Sequence, residues 1–265
     1  MATAASAGND RAFSIGEVVG RAFGVMGDNP IATFGIAFLF GALPQQLYSY
    51  FLRSLRVTDA QTTLAMSALS IGSILIFLFC SMLVQGALVR ATLAYSEGER
   101  ASVGESVSAG AAKALPLIGL LLLMSLALML GFVLFVVPAI LLYIRWAVAT
   151  PALVAEDTGV IEAFGRSSFL TKGARWRVFG LQLLLVGLFW IVSAVAGLLL
   201  VMIGGLQATA AQLASGQLPV FYMIGSVIAG TLMSAFMGTV QTSLYIALRD
   251  WKDGPQVEAL GDIFA

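Results

Sequence analysis

The sequence predicts an all-α polytopic membrane protein with six transmembrane helices, arranged as three pseudo-repeats with cytoplasmic amphipathic surface helices. The first supporting observation is composition. Of the 265 residues, 59% are hydrophobic and 11% are charged, whereas a soluble domain has about a quarter of its residues charged. The mean hydropathy of +0.95 is too high for a single soluble core, because so much apolar surface needs lipid as its solvent.

The second observation is a series of six apolar runs, each close to the roughly 20 residues that a spanning helix needs. They cover residues 31–52, 64–87, 115–136, 139–155, 178–206 and 220–248. Val137 and Pro138 predict a tight turn between the third and fourth runs, because proline cannot donate to a helix ladder. A loop rich in glycine and polar residues is predicted from Gln207 to Gly216, before the last run.

The distribution of lysine and arginine predicts the orientation, because short cytoplasmic loops are enriched in these residues. Six spans place both termini on one side. Eleven basic residues would lie on that side and two on the other, so both termini are predicted to be cytoplasmic. The eleven are Arg11, Arg21, Arg90, Arg100, Lys113, Arg166, Lys172, Arg175, Arg177, Arg249 and Lys252, and the two are Arg53 and Arg56.

The third observation is an internal repeat with units 13–100, 101–157 and 158–254, flanked by an N-terminal tail 1–12 and a C-terminal tail 255–265. Each unit opens with Ser or Thr followed by Glu. The pairs are Ser14 and Glu17, Ser102 and Glu105, and Thr158 and Glu162. This pattern is typical of helix starts, since each side chain satisfies a free backbone donor of the other. After Ser14 the apolar residues fall on one helical face, which predicts an amphipathic surface helix.

The units also end alike, at Gly98, Gly159 and Gly254. Aligning these glycines brings Gln85, Trp146 and Gln241 to the same position in each closing helix. We therefore expect polar groups at a matching depth in the membrane.

The residue types argue against an enzyme. The chain has no histidine and one cysteine, Cys80, so it lacks the commonest metal ligand and the commonest general base. No nucleophile–base pair, phosphate-binding glycine loop or metal-ligand cluster is apparent. We expect no catalytic residue, no cofactor and no metal. The formal net charge of zero predicts no nucleic-acid partner.

Arg145 is the strongest single signal, because it lies inside the fourth predicted span. A charge at such a position costs at least about 2.5 kcal/mol on insertion scales, so it must face a partner, a cavity or a lipid headgroup. One interpretation is a buried arginine bonded to carbonyls or to Gln85 and Gln241, or one that extends outward to the interface. The other is a residue that binds a ligand or lipid.

Arg166, Lys172, Arg175 and Arg177 form a basic cluster around Trp176. This pattern indicates either cytoplasmic topology with an interfacial aromatic anchor or a patch that binds anionic lipid or phosphate. The nearby acids of 156–162 are expected to pair with these cations at the surface, each pair contributing less than about 1 kcal/mol.

The last span carries small residues four positions apart, which let helix backbones approach closely. They are Ser226, Gly230, Ser234, Gly238 and Thr242. The pattern predicts a packing stripe, within the chain or between copies.

Residues 138–180 carry a recognisable motif, whose members are Pro138, Arg145, Pro151, Ala152, Val154, Glu156, Ala163, Arg166, Ser167, Leu170, Thr171, Gly173, Trp176 and Arg177. It resembles the bacterial membrane domain named after glycerophosphoryl diester phosphodiesterase, although Ser168 stands where that pattern has tryptophan. The resemblance implies a stand-alone six-span domain of the bacterial inner membrane. The phosphodiesterase reaction belongs to a separate soluble barrel with histidines around a metal, and this chain has no histidine.

These observations lead to three functional hypotheses. The leading one is a non-enzymatic integral membrane protein that binds or organises phospholipid or a membrane partner. The alternative is a transporter or lipid-translocating protein, since repeats and midplane charges are common in transporters, with Pro44 and Pro151 as candidate helix breaks. The third is an intramembrane enzyme. The candidate partners are the lipid bilayer with its anionic phospholipid, a membrane protein or a second copy of the chain.

Overall fold

The computed structural model describes residues 13–54, 60–205 and 220–254, and this part of the chain is helical without any strand. In chain order the helices are α1 Ile15–Asp28, α2 Pro30–Ile36, a π-helical segment Ala37–Ala42, α3 Leu43–Ser54, α4 Ala60–Ser96, α5 Val103–Leu134, α6 Val136–Arg145, α7 Ala149–Ala155, α8 Val160–Thr171, α9 Arg175–Gly204 and α10 Val220–Asp253. The predicted all-α class is confirmed.

Six helical stretches of the described part are long and apolar enough to cross a membrane, which is the predicted number. They are Pro30–Tyr48, Ile74–Ser96, Val103–Leu134, Val136–Ala155, Arg175–Ile203 and Met223–Asp253. Both predicted tails, Arg11, Arg56 and the loop from Gln207 to Gly216 lie outside the described residues, and so does the Arg53 side chain.

The predicted Ser/Thr and Glu signal is confirmed in full at α5 and only in part at α8, where the cap is Gly159 and not the predicted Thr158. At α5 the Ser102 hydroxyl accepts from the Glu105 N–H, and the Glu105 carboxylate accepts from the Ser102 N–H, both at 3.1 Å. At α8 the Glu162 carboxylate accepts from the Gly159 N–H at 2.9 Å. Ser14 is the residue before α1, but its side chain caps no backbone N–H.

The joint between the third and fourth spans was predicted two residues too late. The extended residue is Phe135, with φ of −174° and ψ of 156°. Val137 and Pro138 lie in the first turn of α6. A proline is tolerated there, because a backbone N–H in the first turn has no helical partner to lose.

Two of the spans are interrupted, and each interruption lies just before a proline. The first span passes through the π-helical segment before Pro44, and the fourth stops at Arg145 and resumes at Ala149 before Pro151. A proline clashes with the carbonyl four residues earlier. Those positions are Phe40 in the π-helical segment and Ala147 in the interruption.

Helices α4 and α5 are in close backbone contact at Gly86 and Gly110. A Cβ atom on Gly110 would lie 2.4 Å from the Leu83 carbonyl oxygen and 2.8 Å from the Ala87 nitrogen. Only glycine permits this approach. Helix α1 packs on α10 through Val18 and Ala22, both buried, and the rings of Phe23 and Phe236 lie 5.4 Å apart.

One end of the bundle gathers most of the charged groups, and we call it the charged end. Helix α4 ends there at Ser96 and α10 at Asp253. Asn29, between α1 and α2, donates its side-chain amide to the Ala101 carbonyl at 2.9 Å, which ties the first helices to the α4–α5 connection. Gly173, with φ of +94°, lies where an added Cβ would be 3.1 Å from the Trp251 ring.

Candidate functional site

At the interruption of the fourth span, free backbone polar groups form hydrogen bonds with side chains from α8, and we call this arrangement the closure of the span. The Ser167 hydroxyl donates to the Arg145 carbonyl at 3.0 Å and accepts from the Val148 N–H at 3.2 Å. The Thr171 hydroxyl shares its one proton between the same Arg145 carbonyl at 3.2 Å and the Ser167 carbonyl of its own helix at 2.9 Å. Irregular backbone at membrane depth is tolerated where protein satisfies its polar groups, and Ser167 and Thr171 fill this role.

The Arg145 side chain is exposed, and its Nε donates to the Ser168 hydroxyl at 2.8 Å. Ser168 is the position that departs from the resemblance described above. Within the described residues no carboxylate lies within 4.0 Å of Arg145, and no hydrogen bond joins it to Gln85 or Gln241. Gln241 instead exchanges hydrogen bonds of 3.3 Å with the buried Gln182.

Arg166 is held between two acids rather than free for a ligand. Its Nε donates to both Glu156 oxygens at 2.7 and 2.9 Å. Its terminal nitrogens donate to Asp253, one of them at 3.3 Å. Tyr245 donates its hydroxyl to Glu156 at 2.8 Å. Hydrogen bonding to Asp253, and then to Glu156, raises the pKa of the Arg166 guanidinium. This cluster joins the ends of α7 and α10 to α8, so Arg166 has a positioning role.

The other predicted cations remain available. Lys172 and Arg175 are exposed, Arg177 is half-buried, and Trp176 between them is 85% exposed. No described carboxylate lies within 4.0 Å of any of these three cations. Lys252 joins them, with its Nζ 4.1 Å from the Trp251 ring centre and 5.7 Å from that of Phe169. We call Arg145, Lys172, Arg175, Arg177 and Lys252 the basic surface.

The small-residue stripe of α10 faces other helices of the same chain. A Cβ on Gly238 would lie 2.6 Å from Leu88 of α4, and one on Gly230 would lie 3.8 Å from Ala42 of the π-helical segment. Ser226 donates to the side chain of Gln46 at 3.4 Å. Ser234 lies 3.9 Å from where a Cβ on Gly41 would be, and Thr242 donates back to its own helix at Gly238.

Sequence reasoning missed the residues that act across long separations. Asp253 and Tyr245 lie 87 and 89 positions from their partners in the Arg166 cluster. No local pattern joins residues so far apart. Ser167 was noticed only as part of the motif, although a proline in an apolar span predicts backbone groups that need a polar partner.

Comparison with known proteins gives one match. The family model described as Domain of unknown function (DUF7847) matches residues 103–248, a segment that contains both the closure of the fourth span and most of the Arg166 cluster. No curated protein matches the chain, and no solved structure matches it.

Proposed function

The chain belongs to the DUF7847 family, and from this premise we propose that it is a non-enzymatic integral membrane protein that binds anionic phospholipid through its basic surface. The observation that carries the proposal is the exposed Trp176 flanked in sequence by Lys172, Arg175 and Arg177, which have no described carboxylate within 4.0 Å. Six helices long and apolar enough to span a membrane support a position of this surface beside a bilayer.

The chemistry of the basic surface suits a phospholipid headgroup. A lysine or arginine near an anionic membrane surface contributes roughly 1 kcal/mol of attraction. Tryptophan is favoured at the headgroup level, because its ring is apolar and its N–H is polar. Arg145 adds a cation from the fourth span, and among the described residues its side chain bonds to Ser168. Anionic headgroups would therefore bind while their acyl chains lie against α6 and α9.

We place the protein in the bacterial inner membrane with both termini cytoplasmic. The excess of lysine and arginine predicted for one side supports this orientation. The charged end would then face the cytoplasm, where the leaflet is rich in anionic lipid.

The three pseudo-repeats and the surface helices remain part of the proposal. Helices α4 and α10 both end before a glycine with positive φ, Gly98 at +76° and Gly254 at +85°, which supports equivalence of the first and third units. In the second unit the positive φ falls on Asp157 instead. The buried Val18 and exposed Glu17 of α1 support an amphipathic helix. The likeness to the glycerophosphoryl diester phosphodiesterase membrane domain stays a prediction.

Native mass spectrometry of the gently solubilised protein tests lipid binding. The test variant combines Lys172→Ala, Arg175→Ala and Arg177→Ala, and Arg145→Ala is measured separately. Arg100→Ala is the control, because Arg100 is an exposed cation at the charged end outside the basic surface. We expect the triple variant to retain at least about tenfold less phosphatidylglycerol, since each lost cation removes about 1 kcal/mol.

Two outcomes would refute the lipid proposal. One is equal retention of phosphatidylglycerol by the wild type and the triple variant. The other is an equal loss in Arg100→Ala, which would indicate attraction by net charge alone. The first outcome would favour a scaffold that binds a membrane protein or a second copy of the chain.

The interrupted spans favour a transporter or lipid-translocating protein as the second candidate. Broken helices in transporters expose backbone groups at a substrate site, and breaks occur here near Pro44 and Pro151. In this chain the break at Arg145 is closed by Ser167 and Thr171. Lipid scrambling or solute flux in proteoliposomes, lost on substituting Arg145, would support this candidate. A lack of flux across a broad panel of substrates would reject it.

A further inference from the structure

A second charged site lies between helices at the charged end, partly open to the outside, and it shares no residue with the basic surface. It is a cavity of about 280 Å³ between α4, α5, α7 and α10. Its charged lining residues are Arg90, Glu97, Lys113 and Arg249, and its apolar walls include Ala109 and Val154. In the sequence analysis, Arg90, Lys113 and Arg249 served only to predict the orientation of the chain in the membrane.

The lining carries three positive groups and one negative group. Arg90 lies 3.6 Å from the Glu97 carboxylate, and both side chains are partly exposed. Lys113 pairs with Asp157, whose side chain is 82% exposed. An exposed partner of this kind contributes roughly 0–1 kcal/mol, so Lys113 can exchange it for a ligand at little cost. The interior of the cavity therefore favours an anion.

Arg249 is the most buried of the three cations. Its side chain is 19% exposed, and its Nε is buried without a hydrogen-bond partner among the described residues. The Asp250 carboxylate lies 3.9 Å away, which is beyond hydrogen-bond distance. The guanidinium lies over the Tyr245 ring at 5.6 Å. A buried charged donor without an acceptor is costly, and an anion in the cavity would supply the acceptor.

We propose that this cavity binds a phosphate group, with Arg249 and Lys113 as donors and Arg90 as the third cation. Arginine donates two parallel hydrogen bonds to phosphate, and lysine adds a point charge. The volume is at the lower end of ligand pockets, which suits one phosphate with a small substituent. Glu97, 3.6 Å from Arg90, keeps Arg90 oriented. The phosphate belongs either to a soluble phosphomonoester or to a phospholipid headgroup.

The test measures phosphate binding by the full chain in nanodiscs of phosphatidylcholine alone. Inorganic phosphate is titrated at constant ionic strength against chloride, and the midpoint of thermal unfolding is recorded. We expect a saturable rise in the wild type, and an apparent affinity at least tenfold weaker in Arg249→Gln and Lys113→Gln. Arg175→Gln is the matched control and should bind like the wild type, because Arg175 belongs to the basic surface.

Ala109→Leu separates binding from folding, since it fills the cavity without changing any charge. It should lose the phosphate response while its unfolding midpoint without phosphate stays near that of the wild type.

Repeating the titration with glycerol 3-phosphate, and then with phosphatidylglycerol in the disc, identifies whether the bound phosphate belongs to a soluble ligand or to a lipid. A soluble ligand is indicated if glycerol 3-phosphate binds more tightly than phosphate. A lipid is indicated if phosphatidylglycerol abolishes the response of the wild type to added phosphate.

The proposal is refuted if the wild type responds to phosphate no more than to chloride, or if Arg249→Gln and Ala109→Leu respond like the wild type. The site variants differ from those that test the basic surface. Failure of one proposal therefore leaves the other standing.

Discussion

Removal of the Ser167 hydroxyl gives the sharpest test of how the interruption in the fourth span is stabilised. In Ser167→Ala the Val148 N–H loses its acceptor, and Val148 is fully buried. An orphaned buried N–H costs about 1–3 kcal/mol. The Arg145 carbonyl keeps its bond from Thr171 at 3.2 Å, so only one backbone group is left unpaired. We expect Ser167→Ala to lower the free energy of unfolding by about 1–3 kcal/mol.

Thr171→Val completes a double-mutant cycle at the same carbonyl. Thr171→Val alone should lower the free energy of unfolding by about 1 kcal/mol, the net value of one hydrogen bond. The loss is small because Ser167 still donates to the Arg145 carbonyl at 3.0 Å. Together the two substitutions leave the Arg145 carbonyl without either donor. The double variant should therefore be less stable than the sum predicts, by at least about 0.5 kcal/mol.

The assay is reversible unfolding in mixed micelles, titrated with SDS and followed by far-ultraviolet circular dichroism. Ser108→Ala is the matched control, since Ser108 is exposed and bonds only within its own helix. Its effect should stay within about 0.5 kcal/mol. Strict additivity of Ser167→Ala and Thr171→Val, or an effect of Ser108→Ala as large as that of Ser167→Ala, would contradict this account of the closure.

Three further predictions test the packing of the charged end, each by the same unfolding titration. Gly173→Ala should lower the free energy of unfolding by about 1–2 kcal/mol, because the φ of Gly173 is +94°. Gly165→Ala in α8 should raise it by up to about 1 kcal/mol, because an added Cβ there meets open space. Equal effects of the two substitutions would rule out backbone conformation as the cause. Gly110→Ala should cost about 2–3 kcal/mol by separating α4 from α5, and a neutral result would show that the backbone contact is wrong. Asn29→Ala should lower the free energy of unfolding by about 1–2 kcal/mol, because it removes the cap of α2 and the bond to Ala101. Asn29→Asp should lower it by less, because aspartate keeps the cap. A larger loss for Asn29→Asp than for Asn29→Ala would refute the capping role of Asn29.

The sequence predicts the elements that depend on local chemistry. Six apolar runs predicted six candidate spans, because the length of a spanning helix is set by the bilayer. The start of α5 followed from the spacing of Ser102 and Glu105. Glu162 indicated the start of α8, although the cap there is Gly159 and not the predicted Thr158. Pro44 and Pro151 indicated the two places where the helices are interrupted. Each of these signals involves residues within one or two turns of each other.

The arrangement of the charged groups could not be predicted in the same way. Arg166 was grouped with Arg175 and Arg177 because all three are close in sequence. The expected pairing of Arg166 with a nearby acid is confirmed for Glu156. Its bond to Asp253 could be foreseen only by knowing that α10 ends beside α8. The cavity lined by Arg249 likewise depends on how four helices meet. Helix packing of this kind is set by shape over the whole bundle, whereas the sequence pattern reports only which face is apolar.

The long separation between Arg166 and Asp253 has a consequence for biosynthesis. The two residues are 87 positions apart, and chains grow at roughly 5–20 residues per second, so Asp253 is made roughly 4–17 s after Arg166. During that interval Glu156 is the partner at hand for Arg166. The α7–α8 hairpin can thus form first. The terminal guanidinium nitrogens of Arg166 then bind Asp253 at the end of α10. The α7–α8 hairpin is therefore fully stabilised only when the last helix is complete, several seconds after the hairpin itself is translated.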